Sequence, residues 1–170
     1  MAALGLGACA RQHPPPLSPA ALQATRNFTD IEIYWAGPSF EGIPLTAADR
    51  PEDYLPKLGM RVYYGDCVAH RTLLATSGCT LPLEINSVTS TPHINHTLGP
   101  QHRIHIHGVP AVVYDGGRSI EVYTGGVAVD VFADTPQRAR RAALALRRLN
   151  VHRQVLLKRL PAPRHAPGAP

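Results

Sequence analysis

Gly108-VPAVVYDGGRSIEVYTGGVAVDVFADTPQRARRAALALRRL-Asn150 is the stretch on which the fold turns. Val109 to Tyr114, Ser119 to Tyr123 and Val127 to Phe132 are rich in β-branched and aromatic residues, the composition of strands. Asp115-Gly116-Gly117 and Gly125-Gly126 separate them and supply the positive φ angles that tight hairpins need. Asp134 or Thr135 can then cap a helix, with Pro136 at the first position, where a missing N–H costs nothing. Ala139, Ala142, Ala143, Leu146 and Leu149 recur at helical spacing, and Asn150 suits a left-handed stop. Arg138, Arg140, Arg141, Arg147 and Arg148 fill the remaining surface of that helix. The pattern predicts an α+β fold: an antiparallel β-meander, in a sheet of five to seven strands, with one C-terminal helix on one face.

Upstream, Asp30 to Gly37 (DIEIYWAG) alternates as a half-buried strand does. Phe40 to Leu45 continues extended, with Pro44 favouring an edge. Thr46 to Pro56 turns polar and reads as a solvated loop or short helix. Its Asp49, Glu52 and Asp53 lack the Asp-x-Asp-x-Asp-Gly spacing of a calcium loop. Met60 to Cys67 and Leu81 to Val88 form two further strands. Cys67 and Cys79 stand near the ends of their connection, the placement of a disulfide staple that stabilises by roughly 3 kcal/mol in the chain-entropy account. Two buried thiols or half of a zinc site are the competing readings; no Cys-x-x-Cys redox motif is present.

Between these strands and the meander lies TPHINHTLGPQHRIHIHG, residues 91–108, with His93, His96, His102, His105 and His107. On an extended strand His105 and His107 share one face, a two-residue spacing at which two imidazoles can hold one Zn, Cu or Ni ion. His93 or His96 supplies a third ligand if the Leu98-Gly99-Pro100 turn folds back. Against a metal site, His102 has the parity of Ile104 and Ile106, and no carboxylate stands nearby to orient an imidazole. No Gly-x-Ser-x-Gly, His-Glu-x-x-His or phosphate-cradling loop occurs, so the expectation is a protein without enzymatic activity and without an obligate cofactor.

The formal net charge of +5 hides an asymmetry. Residues 135–170 hold nine bases and no acid, while residues 1–134 hold eight bases against twelve acids. A basic end of this kind allows nucleic-acid contact, but no nucleic-acid motif and no interleaved aromatic residues accompany it. A solvated helix face followed by a basic, Pro-rich tail at 151–170 is the simpler reading.

At the other end, Leu6-Gly7-Ala8-Cys9 resembles the lipobox of bacterial prolipoproteins, with Cys9 as the lipid-bearing residue. The apolar run before it is short and carries no basic residue, as in a leader cut short at Met1. The organisation expected is therefore a leader and Pro-rich tether at 1–28, one domain at 29–150, and a tail.

Tyr34 to Thr46 (YWAGPSFEGIPLT), the YYGDC segment ending at Cys67 with its downstream Ser77-Gly78-Cys79, and the meander before an alanine-rich helix give the chain a resemblance. It resembles small exported proteins and lipoproteins of high-GC Gram-positive bacteria. That family has no established activity, and the resemblance implies an extracytoplasmic protein, membrane-anchored through Cys9 or secreted. The function expected is binding or structural, its working surface the sheet face that the helix leaves open. Extracytoplasmic metal binding through the histidines is the alternative.

Overall fold

The computed structural model describes residues 14–49, 59–66, 68–69, 79–89 and 100–150. In chain order its elements are α1 (Pro19–Arg26), β1 (Tyr34–Trp35), β2 (Ser39–Phe40), β3 (Ile43–Asp49), β4 (Gly59–Tyr64), β5 (Val68–Ala69), β6 (Cys79–Thr80) and β7 (Leu83–Thr89). They continue with β8 (His102–Ile106), β9 (Val109–Tyr114), a 3-10 turn at Asp115–Gly117, β10 (Ser119–Tyr123), β11 (Val127–Ala133), α2 (Pro136–Leu144) and β12 (Arg147–Arg148). The fold is mostly antiparallel sheet with two helices, within the α+β class.

Eight strands form the main sheet in the order β2-β3-β4-β7-β11-β10-β9-β8, every neighbouring pair antiparallel. The meander read from the sequence is present as β9, β10 and β11, with β8 added at its far edge. β7 joins this half to β2–β4, pairing along its whole length with β11 from Leu83↔Ala133 to Thr89↔Val127. Residues 46–49, expected in a polar loop, belong to β3 instead. Their pairing with β4 provides the backbone bonds that local composition did not signal.

Alternation decides which face is the core. Leu83 and Ile85 on β7, Val129 and Val131 on β11, and Val62 and Tyr64 on β4 all point one way and have no exposed surface. α2 covers β10 and β11, burying Ala139, Ala142 and Ala143 completely, while residues 31–37 lie over β7 and β4. Alanines on that face let the helix backbone approach the sheet closely. Thr135 caps it by accepting from Arg138 N at 3.3 Å, and Pro136 stands in its first turn, as the sequence predicts.

Two features of the helical prediction are corrected. α2 ends at Leu144 rather than running to Asn150, because the chain beyond it pairs as β12 with β1 (Tyr34↔Arg148, Trp35↔Arg147). The Leu149 amide also donates to the Ile33 carbonyl at 2.7 Å. Tertiary pairing here outweighs the propensity that would prolong a nine-residue helix. α1 is a second helix inside the stretch expected to be a tether. Ser18 caps it, Pro19 opens it, Thr25 is buried, and Leu17 and Leu22 pack against the core.

Residues 31–37 lie across the core face, and where their amides meet no strand edge, buried side chains receive them. Ile33 N donates to Asn150 Oδ1 (2.8 Å), Tyr34 N to Ser87 Oγ (2.9 Å), and Ala36 N to the Tyr64 hydroxyl (2.8 Å). That hydroxyl in turn donates to the Gly37 carbonyl at 2.9 Å. Tyr64→Phe therefore orphans one amide and one carbonyl and should lower the unfolding free energy by about 2 kcal/mol in urea titration. A change below about 0.5 kcal/mol would mean that the hydroxyl does not hold this segment.

Candidate functional site

The structure separates the histidines that the sequence grouped. β8 stops at Ile106, and His107 (φ 50°) with Gly108 (φ 77°) forms the hairpin turn to β9, the pair of positive φ angles of a type I′ turn. His105 stays exposed on the edge strand, so the alternation expected to align it with His107 ends one residue too early. His107 Nε2–H donates instead to the Leu144 carbonyl at 2.7 Å, filling a free acceptor at the end of α2. No group of three His, Cys, Asp or Glu side chains among the described residues is arranged to hold a metal. His93 and His96 lie outside the described residues, as does Cys9.

β5 and β6 pair antiparallel (Val68↔Thr80, Ala69↔Cys79), so the backbone forms a two-stranded ribbon where the sequence placed its staple. Cys67 and the side chain of Cys79, the pair of the expected disulfide, lie outside the described residues.

The sheet face opposite α2 is the one expected from the sequence to be the working surface. It bears Arg61, Tyr63, Glu84, Asn86, Tyr114, Glu121, Asp130 and Phe132, an acidic and aromatic mixture in which Tyr114, Glu121 and Asp130 are buried and the others half-buried. Asp130 is 1% exposed and Glu121 4%. Burial, then the neighbouring Glu121 and Glu84 charges, push the Asp130 carboxyl up to about 8.

An accessible site lies at the other side of the molecule, where α1, β1 and β12 meet. Gln23, Arg26, Asn27, Trp35, Pro38, Arg147, Arg148 and Leu149 line a cleft of about 640 Å³. The register of β1 against β12 sets Trp35 directly opposite Arg147, whose guanidinium lies 5.4 Å from the ring centroid. Arg26, in the last turn of α1, places its guanidinium 5.8 Å from the same ring. Both are cation–π distances. Gly37 makes room for the Arg147 head: a Cβ there would stand 2.4 Å from Nη2, and φ 110° excludes ordinary side chains.

The charges around this cleft are unequally satisfied. Arg148 bonds Glu32 at 2.8 Å and the Asn150 carbonyl at 3.1 Å. Across the surface, Arg138 and Arg141 both bind Glu41, and Arg138 also binds Asp134. Arg26 and Arg147 are exposed and have no carboxylate partner among the described residues. Two unneutralised guanidiniums on one indole, at the mouth of a cleft, can receive an anion.

Sequence reasoning placed Arg147 on a helix surface, Trp35 in a half-buried strand and Arg26 in a tether. No local signal joins them, since residues 26, 35 and 147 meet only through the β1–β12 pairing. The sole marker was the single tryptophan followed by Gly37-Pro38.

No family model matches the chain, and no curated protein or solved structure matches it.

Proposed function

We propose that the protein is a non-enzymatic binding protein whose working site is the Trp35 cleft, and that its partner is anionic there. The supporting observation is the pair Arg26 and Arg147, both held over Trp35 and both without an acidic partner among the described residues. A guanidinium held at cation–π distance from an indole is partly ordered before any ligand arrives, and neither of these two spends a donor on a carboxylate among the described residues. Nucleic-acid stacking on Trp35 is a poorer reading, since the indole is only 6% exposed.

Trp35 is the only tryptophan, so its emission reports directly on the site. Titration with inorganic pyrophosphate should change that emission saturably, and Arg147→Gln should weaken the response at least tenfold. An unchanged spectrum at about 10 mM pyrophosphate, where a millimolar site would be mostly filled, would end the proposal.

A further inference from the structure

Resting on that reading, we infer that the anion is a phosphate monoester carried on a hydroxylated organic body, its phosphate held by Arg26 and Arg147 together. Three features of the cleft lead to this chemistry.

The first is charge. Two guanidiniums lack counter-ions among the described residues, while the third, Arg148, is occupied by Glu32 and the Asn150 carbonyl. A single carboxylate neutralises one guanidinium and matches one fork. A phosphate monoester carries about −1.5 to −2 at neutral pH and presents three acceptor oxygens, enough for two forks.

The second is position. Arg26 at 5.8 Å and Arg147 at 5.4 Å both stand at cation–π distance from the centroid of one indole, and neither spends an N–H donor on a carboxylate among the described residues. Two cations gathered at one ring suit one dianionic group better than two separate anions.

The third is room and polarity. About 640 Å³ far exceeds an inorganic phosphate and falls in the range of organic-ligand sites. Beside the cations, Gln23 Nε2 donates to Asn27 Oδ1 at 2.9 Å, leaving the Gln23 carbonyl oxygen and the Asn27 amide nitrogen unspent in that bond. One acceptor beside one donor is the complement of a hydroxyl group.

The test uses the full chain and Trp35 emission, confirmed by calorimetry, with glycerol 3-phosphate, inorganic phosphate and malate as probes. Glycerol 3-phosphate should bind at least tenfold more tightly than either of the others. Its affinity should rise from pH 5.5 to 7.5 as the phosphate loses its second proton, whereas that of malate should not increase comparably. Arg26→Gln and Arg147→Gln should each weaken it at least tenfold. The exposed pair Gln23→Ala with Asn27→Ala, which removes no core contact, should bring glycerol 3-phosphate down to the level of inorganic phosphate.

Malate binding as tightly as glycerol 3-phosphate would overturn the phosphate assignment and leave the anion-binding reading standing. Inorganic phosphate binding equally would overturn the organic body. No response to any probe would overturn both. Phosphatidylcholine vesicles with and without phosphatidic acid then identify the source. Sedimentation with the phosphatidic acid vesicles, reversed by glycerol 3-phosphate, assigns a lipid headgroup; binding of the soluble ester alone assigns a free metabolite.

Discussion

Replacing Asn150 by alanine is expected to destabilise the protein by about 3 kcal/mol or more, lowering its thermal midpoint by roughly 10 °C. Asn150 is 4% exposed, and its amide serves three backbone groups at once. Oδ1 accepts from Ile33 N at 2.8 Å, while Nδ2 donates to the Phe28 carbonyl at 2.6 Å and the Ile31 carbonyl at 2.7 Å. Alanine leaves all three without that partner, at about 1–3 kcal/mol for each buried group left unsatisfied. The role of helix stop predicted from sequence gives the opposite result for Asn150→Gly, because glycine is the preferred residue in a left-handed stop. The hydrogen-bonded role makes glycine at least as damaging as alanine. Urea unfolding of both variants decides between them, and a glycine variant as stable as the parent would remove the anchoring role.

The second large effect is a pH dependence centred on Asp130. Both of its oxygens are buried without a hydrogen-bond partner among the described residues, and so is Oδ1 of Asn86, its register partner on β7. A carboxylate facing an amide oxygen has nothing to donate; a protonated carboxyl has. Burial makes the charged form costly, and Glu121, paired with Asp130 across β10, and Glu84, one diagonal step away, add like charge. The carboxyl is accordingly raised to about 8 in the folded state, against an ordinary value near 3.8. Between those values the folded chain keeps a proton that the unfolded chain has released, so stability falls as pH rises through this window. The limit is about 1.4 kcal/mol per pH unit. Glu84 is raised too, chiefly by burial and against the lowering pull of Arg61, and it adds a slope of the same sign.

Wild-type unfolding free energy should therefore drop by about 3 kcal/mol between pH 5 and pH 8. Asp130→Asn keeps the shape, removes the charge and supplies a donor toward Asn86. It should leave a drop below about 1 kcal/mol and be the more stable form at pH 8. Parallel curves for the two proteins would show that Asp130 is ionised throughout and that its burial is compensated by some other group.

The sheet was legible in the sequence because its information is local. Val109–Tyr114 and Ser119–Tyr123 are strands over the expected residues, and Val127 begins the third as expected. The N-terminus of α2 was legible for the same reason, since Thr135 and Pro136 act on amides within one turn. The end of α2 was not. Residues 145–150 continue a helical pattern on paper, but in space they meet Tyr34, Trp35 and Ile33. Likewise the polarity of residues 46–49 reads as a loop until β4 offers its edge.

By itself, then, the sequence determined the α+β class, the meander and the apolar face of the helix, all set by side-chain periodicity and turn chemistry within a few residues. Only the tertiary structure decided where α2 stops, that Asn150 is an anchor, and that Arg26 and Arg147 share one indole. Those outcomes depend on groups up to about 120 positions apart, such as Asn150 and Phe28. Nothing in the spacing of a chain records which distant backbone amide will need a buried partner until packing has taken its water away.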